Sequence, residues 1–237
     1  MASHGGSRHL KRMAASVALR IGRKKHRYLN KPDAGRHPSA VSMSLLVLLR
    51  DYLKLVRNRR EAKKVLSAGD VLVDGTARKS EGFPIGLMDV VSIPKLKAAY
   101  RVSIVKGKLE PVVISDAEAK VKLCKVVGKK IVRGGKVQLA FHDGRTHVIE
   151  REEDQFSLGD TVKFAIPEQK LAGFLKLEKG SRCYIHSGRH AGTVGVLQEL
   201  LERPGSASTE VKLKAGITEI ITRKSYLFVV DDVSFKL

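Results

Sequence analysis

Tryptophan is absent from this sequence, and aromatics make up only 5% of it. A surface that stacks a long run of single-stranded bases needs more platforms than that. Cysteine is scarce too. Cys124 and Cys183 stand far apart and form no CxxC pair, which excludes a disulfide framework and a zinc knuckle. Both are expected to be small buried apolar groups in a reducing, cytosolic compartment. The longest apolar run, Leu45 to Leu49, is too short to span a bilayer, and no apolar stretch near the start reads as a secretory signal. Acidic residues are the remaining shortage: 24 Asp and Glu face 45 Lys and Arg, a net charge of +21. Such a chain repels itself without a polyanion, and nucleic acid is the commonest one. With so few aromatics, phosphate contact and shape recognition of folded RNA fit best.

Catalytic signatures are missing as well. There is no GxxxxGKS/T, no GxGxxG after a strand, no GxSxG and no HExxH. Neither an enzymatic activity, a cofactor nor a small-molecule substrate is expected. GKKIVRGGK, over 128–136, shares only its composition with a phosphate loop and reads as a basic hairpin. His186 and His190 lie four apart, but in a glycine-rich loop with no acid or Cys ligand close by in sequence, so no metal site is expected. His142 and Asp143, before Gly144, read as turn chemistry.

What is present divides the chain into four parts. Residues 1–42 carry ten basic residues against one acid, Asp33, and read as a basic extension that orders on RNA. A short helix over 9–19 is compatible with its spacing. Residues 43–95 read as a compact unit. Leu45, Leu48, Leu49, Tyr52, Leu53 and Val56 recur at helical spacing. Asn58 with Glu61 forms a capping box opening a second helix from Arg59 to about Ala68, with Gly69 at its C-terminal cap. Asp74–Gly75 is a strong hairpin turn. Residues 96–170 are mostly β, with strands over 100–106 and 110–114. A capping box at Ser115 and Glu118 opens a helix over 116–127. Strands follow over 129–133, 136–141, 146–149 and 161–166. Residues 171–237 offer short strands over 182–185, 193–200, 211–214 and 227–230 between frequent glycines, the pattern of a small barrel. The fold class is α+β multidomain: a two-helix plus hairpin module, a central β domain and a C-terminal barrel.

The best-defined candidate site is the second helix. At 100° per residue, Arg59, Arg60, Lys63 and Lys64 share one arc while Ala62, Val65 and Leu66 fall opposite, and Arg57 joins the cations at the entrance. Ordinary solvated helix faces mix signs; this one is positive apart from Glu61. Fixed cations on a rigid helix can match phosphate spacing, and arginine adds forked donors. Gly188, Gly192 and Gly195 form a second candidate, with Arg189 and His190 at the loop tip. Phosphate contact and a tight turn needing glycine for geometry alone explain that loop equally well.

These segments resemble a known family. LLVLLRDYLKLVRNRREAKKVLSAGDVLVDG is similar to the two-helix RNA-binding module of bacterial small-subunit ribosomal protein four. SRHLKR, FPIGLMDVVSI, KVVGKKIVRGGKVQLAFHDGR and SGRHAGTVG then occur in the order seen in the archaeal and eukaryotic S4e ribosomal family. The length resembles an archaeal member, and 188–195 resembles the family's KOW motif on an SH3-like barrel. The resemblance implies a cytoplasmic, ribosomal protein whose partners are small-subunit ribosomal RNA and neighbouring small-subunit proteins. Carried over by position, Arg57, Asn58, Arg59, Arg60, Lys63 and Lys64 would contact RNA. So would Arg8, Lys11, Arg12, Arg23, Lys24, Lys25 and Arg27 of the arm, and Gly188, Arg189 and His190 of the loop. The chain departs from the family pattern at three places. Leu19–Arg20 stands where a Trp–Pro pair is usual, Arg36 where a proline is, and Ser187 replaces a glycine.

Overall fold

The run Leu45 to Leu49 is buried on every side, so it forms the axle of the first core and not one face of a surface helix. A computed structural model describes residues 7, 9–22, 24, 26–201, 209–216 and 218–231. In it the run is helical over Leu45–Val47 and continues in wider turns over Leu48–Tyr52. Leu53 N–H donates to the Leu48 carbonyl at 2.9 Å and Leu55 N–H to Leu49 at 3.0 Å. The second helix spans Arg59–Ser67 and presses Ala62 and Leu66 into the core, both fully buried. Its cap differs from the expected box. The Asn58 side chain makes no capping bond, and Glu61 reaches one residue further back to accept the Arg57 N–H at 2.8 Å. The hairpin Leu72–Val73 with Thr76–Ala77 follows, and Asp74 and Gly75 both take left-handed φ, as its two-residue turn demands. A Cβ on Gly75 would also come within 2.7 Å of Ile166 and Pro167, so this turn tip lies hard against the next sheet.

Three five-stranded antiparallel sheets carry most of the chain. In the first, the strand order is Thr76–Ala77, Leu72–Val73, Val90–Ile93, Ala98–Val105, Lys108–Ile114. Ala98–Val105 hydrogen-bonds to Val90–Ile93 and Lys108–Ile114 to Ala98–Val105, so this sheet runs across the expected boundary at residue 95. The central sheet runs Thr146–Ile149, Val137–Phe141, Val121–Ile131, Thr161–Ala165, Lys170–Leu175. The third runs Thr218–Arg223, Glu210–Ala215, Val194–Leu201, Arg182–Ile185, Leu227–Val229. No helix among the described residues is long and apolar enough to cross a membrane.

Two expected helices are corrected. The Ser115–Glu118 capping box is present, but its helix covers only Asp116–Ala119, and Val121–Ile131 is a strand. Residues 122–126 of that strand are buried without interruption and 121–125 pair with Thr161–Ala165, so tertiary pairing overrides the cap. Over 9–19 only the single 3-10 turn Arg12–Ala14 is helical. Leu10–Lys11 pairs with Tyr28–Leu29, and the Arg12 guanidinium donates to the carbonyls of Ile21 and Gly22. The described part of the arm lies on the body: Leu19 is buried, Leu109 N–H donates to the Ala18 carbonyl at 2.8 Å, and Arg20 N–H donates to the Tyr52 hydroxyl at 2.8 Å.

A buried ionic cluster ties arm, first sheet and central sheet together. Lys122, fully buried, reaches Asp74 at 2.7 Å, Asp89 at 2.5 Å and Asp143 at 3.1 Å. Arg145 bridges Asp74 and Asp143, Arg36 of the arm also holds Asp74, and His37 meets Asp89 at 2.9 Å. Burial alone would lower the Lys122 ammonium, but Asp89 and Asp74 overcome it and hold its pKa above the ordinary value. Burial would likewise raise the Asp89 carboxyl, yet Lys122 and His37 hold it well below the usual carboxylate range. The third sheet is joined through Tyr184, whose hydroxyl accepts from Ile104 N–H at 2.7 Å and lies 3.1 Å from Ser103 Oγ.

Two histidines make stability pH-dependent. Burial pushes His142 down to about 4, and burial together with Lys125 pushes His186 down to about 4. His142 Nδ1 accepts the Lys125 N–H at 3.2 Å, and His186 Nε2 faces the Ser225 carbonyl at 3.1 Å. Below the ordinary histidine value of 6.5 the unfolded chain binds protons that the folded chain refuses, so stability is full at neutral pH and falls as pH drops from 6.5 toward 4. Between pH 7.5 and 5.5 the pair should cost about 3 kcal/mol of unfolding free energy, read by urea titration at each pH. The double substitution of His142 and His186 by Gln should flatten that dependence; a profile unchanged by the substitutions would rule these groups out.

Candidate nucleic-acid interface

The helix Arg59–Ser67 is fixed on its inner side by Ala62 and Leu66 and turns its outer side to solvent. Arg57, Arg59, Arg60, Lys63 and Lys64 are all exposed. They do not share one environment. Arg59 reaches across to Glu81, donating from Nε at 2.9 Å and also from a terminal nitrogen. That pairing holds the Glu81 carboxyl below its ordinary pKa. Arg57, Arg60, Lys63 and Lys64 make no ion pair among the described residues. The result is a rigid ridge of four cations without an ion-pair partner among the described residues, with a fifth, Arg59, tied to Glu81. Asn58 is exposed at the helix entrance, its side chain free of a capping role.

Among the arm residues, Lys11, Lys24 and Arg27 are exposed, and the Arg27 guanidinium lies 5.4 Å from the centre of the Tyr28 ring. Arg12 is a correction: only 8% exposed and bound to two carbonyls, it fastens the arm's turn and presents no free charge. Arg8, Arg23 and Lys25 lie outside the described residues.

Gly188, Arg189 and His190 are exposed at the turn between the strands Arg182–Ile185 and Val194–Leu201. Gly192, next along, answers to geometry. Its φ is +96°, and a Cβ there would come within 2.8 Å of the Ile104 carbonyl oxygen and Lys106 nitrogen. Gly107 N–H also donates to the Ala191 carbonyl at 3.1 Å, so this loop is clamped on the first sheet while its tip stays free. Gly188 also takes a left-handed φ of +90°, so turn geometry accounts for both glycines.

A metal is not accommodated by the one cluster with suitable spacing among the described residues. Cys124, His142 and Asp143 place ligand atoms within 4.8 Å of one another. Asp143 Oδ2, however, already faces Lys122 at 3.1 Å and Arg145 at 3.0 Å, and both His142 nitrogens are hydrogen-bonded. Burial raises the Cys124 thiol well above its ordinary pKa. A protonated thiol beside a buried ammonium is the wrong donor set for a cation.

Comparison with known proteins settles the family. The model of "Ribosomal family S4e" matches residues 96–171, and that of the S4 domain matches residues 43–91. The small ribosomal subunit protein eS4 of Methanocaldococcus jannaschii is 43% identical over 98% of this chain and 97% of its own length. That of Archaeoglobus fulgidus is 39% identical over 94% and 92%. This chain belongs to the S4e family of ribosomal proteins. The crystal structure of the 30S ribosomal protein S4e from Thermoplasma acidophilum superposes with a TM-score of 0.69 at 31% identity, covering 82% of this chain and 97% of that one. In this S4e protein Leu19, Arg20 and Arg36 each have a structural use. Leu19 is buried in the core while Arg20 pairs with Glu110 at 2.8 Å, and Arg36 reaches Asp74 at 2.5 Å. The ionic cluster is what residue-by-residue reading missed. Its only trace was the specificity of FPIGLMDV and HDGR, which hold Asp89, Asp143 and Arg145.

Proposed function

We propose that this S4e protein is a structural, non-enzymatic component of the small ribosomal subunit in the cytoplasm. It grips folded ribosomal RNA through the sugar-phosphate exterior and stabilises that fold, alongside neighbouring small-subunit proteins. The observation that carries this is the ridge of exposed, unpaired cations on a helix whose other side is locked in the core. Arg57, Asn58, Arg59, Arg60, Lys63 and Lys64 form the primary contact. Lys11, Lys24 and Arg27, with Arg8, Arg23 and Lys25, extend it along the arm, and Gly188, Arg189 and His190 add a loop contact. We read residues 43–95 as the S4-type module, 96–170 as the central β-rich domain and 171–237 as an SH3-like barrel bearing a KOW loop. The five-stranded antiparallel sheet with its glycine-rich turn supports that last assignment.

Filter binding of the purified chain to small-subunit ribosomal RNA tests the proposal. Binding should be tight in dilute buffer, and log K should fall linearly with log salt by several units of slope, because each phosphate contact releases counterions. A chain that ignores this RNA even at low salt would end the proposal.

A further inference from the structure

Away from the ridge lies a cleft of about 670 Å³ between the central and third sheets, rimmed by the arm. That volume lies within the ordinary range for a small-ligand site, about 300–1,000 Å³. Its lining combines two chemistries. Val127 and Leu158 are exposed at 59% and 52%, an apolar patch open to water beside the buried Phe141. Lys125 and Lys224 supply ammonium groups, and among the described residues no acidic side chain contributes to the lining.

Lys125 is the informative residue. It is only 7% exposed, and its Nζ has a single partner among the described residues, the Ser225 carbonyl at 2.7 Å. That carbonyl is shared with His186. Burial, with Lys224 adding repulsion, pushes the Lys125 ammonium down to about 8. Three residues earlier on the same strand, Lys122 is buried against three aspartates. The same fold therefore neutralises one buried lysine completely and leaves the other facing a cleft with one neutral acceptor and a second lysine. A buried, unpaired cation costs the fold stability and calls for an anion.

We propose that this cleft receives one unstacked nucleotide of the bound RNA, its base lying on Val127 and Leu158 and its phosphate held by the Lys125–Lys224 pair. Unstacked bases seated on side chains are the usual route to sequence-specific contact with RNA, which the phosphate-gripping ridge does not supply. An acidic peptide would satisfy the amines but makes less use of the flat apolar floor. The proposal rests on the RNA-binding reading above and locates a second, separable subsite within it.

The test uses the full chain with methyl-labelled valine and leucine, titrated at low ionic strength. The probes are the four ribonucleoside 5′-monophosphates, inorganic phosphate, and an N-acetyl glutamyl-leucine amide. At least one monophosphate should shift the Val127 and Leu158 methyl signals at millimolar concentration, while inorganic phosphate leaves them in place. Lys125→Met should weaken that binding about tenfold without lowering the melting temperature, since it removes a charge-assisted phosphate contact and an unpaired buried charge together. Lys224→Glu, at a less buried position, should weaken it at least as much. Charge reversal of Arg60, Lys63 and Lys64 should leave the mononucleotide titration untouched, which separates failure of the cleft from failure of the ridge. The proposal is overturned if no monophosphate moves those methyls or if inorganic phosphate moves them equally. It is equally overturned if the acidic peptide binds more tightly, or if both lysine variants bind as the wild type does.

Discussion

Replacing Lys122 with methionine should lower the unfolding free energy by about 3–5 kcal/mol, the usual cost of breaking a buried ion pair from one side. Methionine fills similar volume, so the loss is electrostatic and not a cavity. It strands the buried carboxylates of Asp74, Asp89 and Asp143 without the ammonium that neutralises them. Arg145 and Arg36 still hold Asp74 and Arg145 still holds Asp143, but Asp89 keeps only His37 and the Gly86 N–H. Asp89 should therefore take up a proton at a higher pH in the variant than in the wild type. At roughly 2–4 °C per kcal/mol for a chain of this size, the melting temperature should drop by about 6–20 °C. Adding Asp89→Asn to Lys122→Met should recover part of the loss, because the orphaned charge is removed. A variant as stable as the wild type would show that the cluster contributes little to holding the units together.

Reversing charge at Arg60, Lys63 and Lys64 should reduce affinity for small-subunit ribosomal RNA by about a thousandfold and lower the salt slope by about three. The estimate takes each lost charge-assisted contact as roughly tenfold. Arg59 is deliberately spared. Its pairing with Glu81 fastens the helix to the loop before Pro84, and reversing it would set two carboxylates against each other. The three chosen residues are exposed and make no ion pair among the described residues, so circular dichroism and melting temperature should stay unchanged. Weakened binding with an undiminished slope would mean that the phosphate contacts lie elsewhere.

Local signals in this sequence were read well wherever the physics is local. The amphipathic spacing of Ala62 and Leu66 against Arg60, Lys63 and Lys64 is visible in the structure, as are the Asp74–Gly75 hairpin and the strands over 146–149 and 182–185. The failures share a cause. The Ser115–Glu118 cap is a true helix start, yet it governs one turn only, because the strand Thr161–Ala165 competes for the backbone that follows. Arg12 looked like one more exposed cation, and only the path of the chain at Ile21 and Gly22 reveals where its guanidinium goes. Asp74 and Asp143 were understood as turn residues, which they are, but each turn also delivers its carboxylate to a lysine far away along the chain. No periodicity or short motif encodes such a meeting. The cleft was hidden for the same reason: Val127, Leu158 and Lys224 become neighbours only when two sheets are set side by side.

The ionic cluster also imposes an order on biosynthesis. Asp74 is translated 71 residues before Arg145, and 48 before Lys122. At roughly 5–20 residues per second, its carboxylate waits several seconds for the cations on the central sheet that will neutralise it. Until then Arg36 and His37 are the basic members of the cluster already made, so Asp74 and Asp89 meet partners in the arm before those of the central sheet exist.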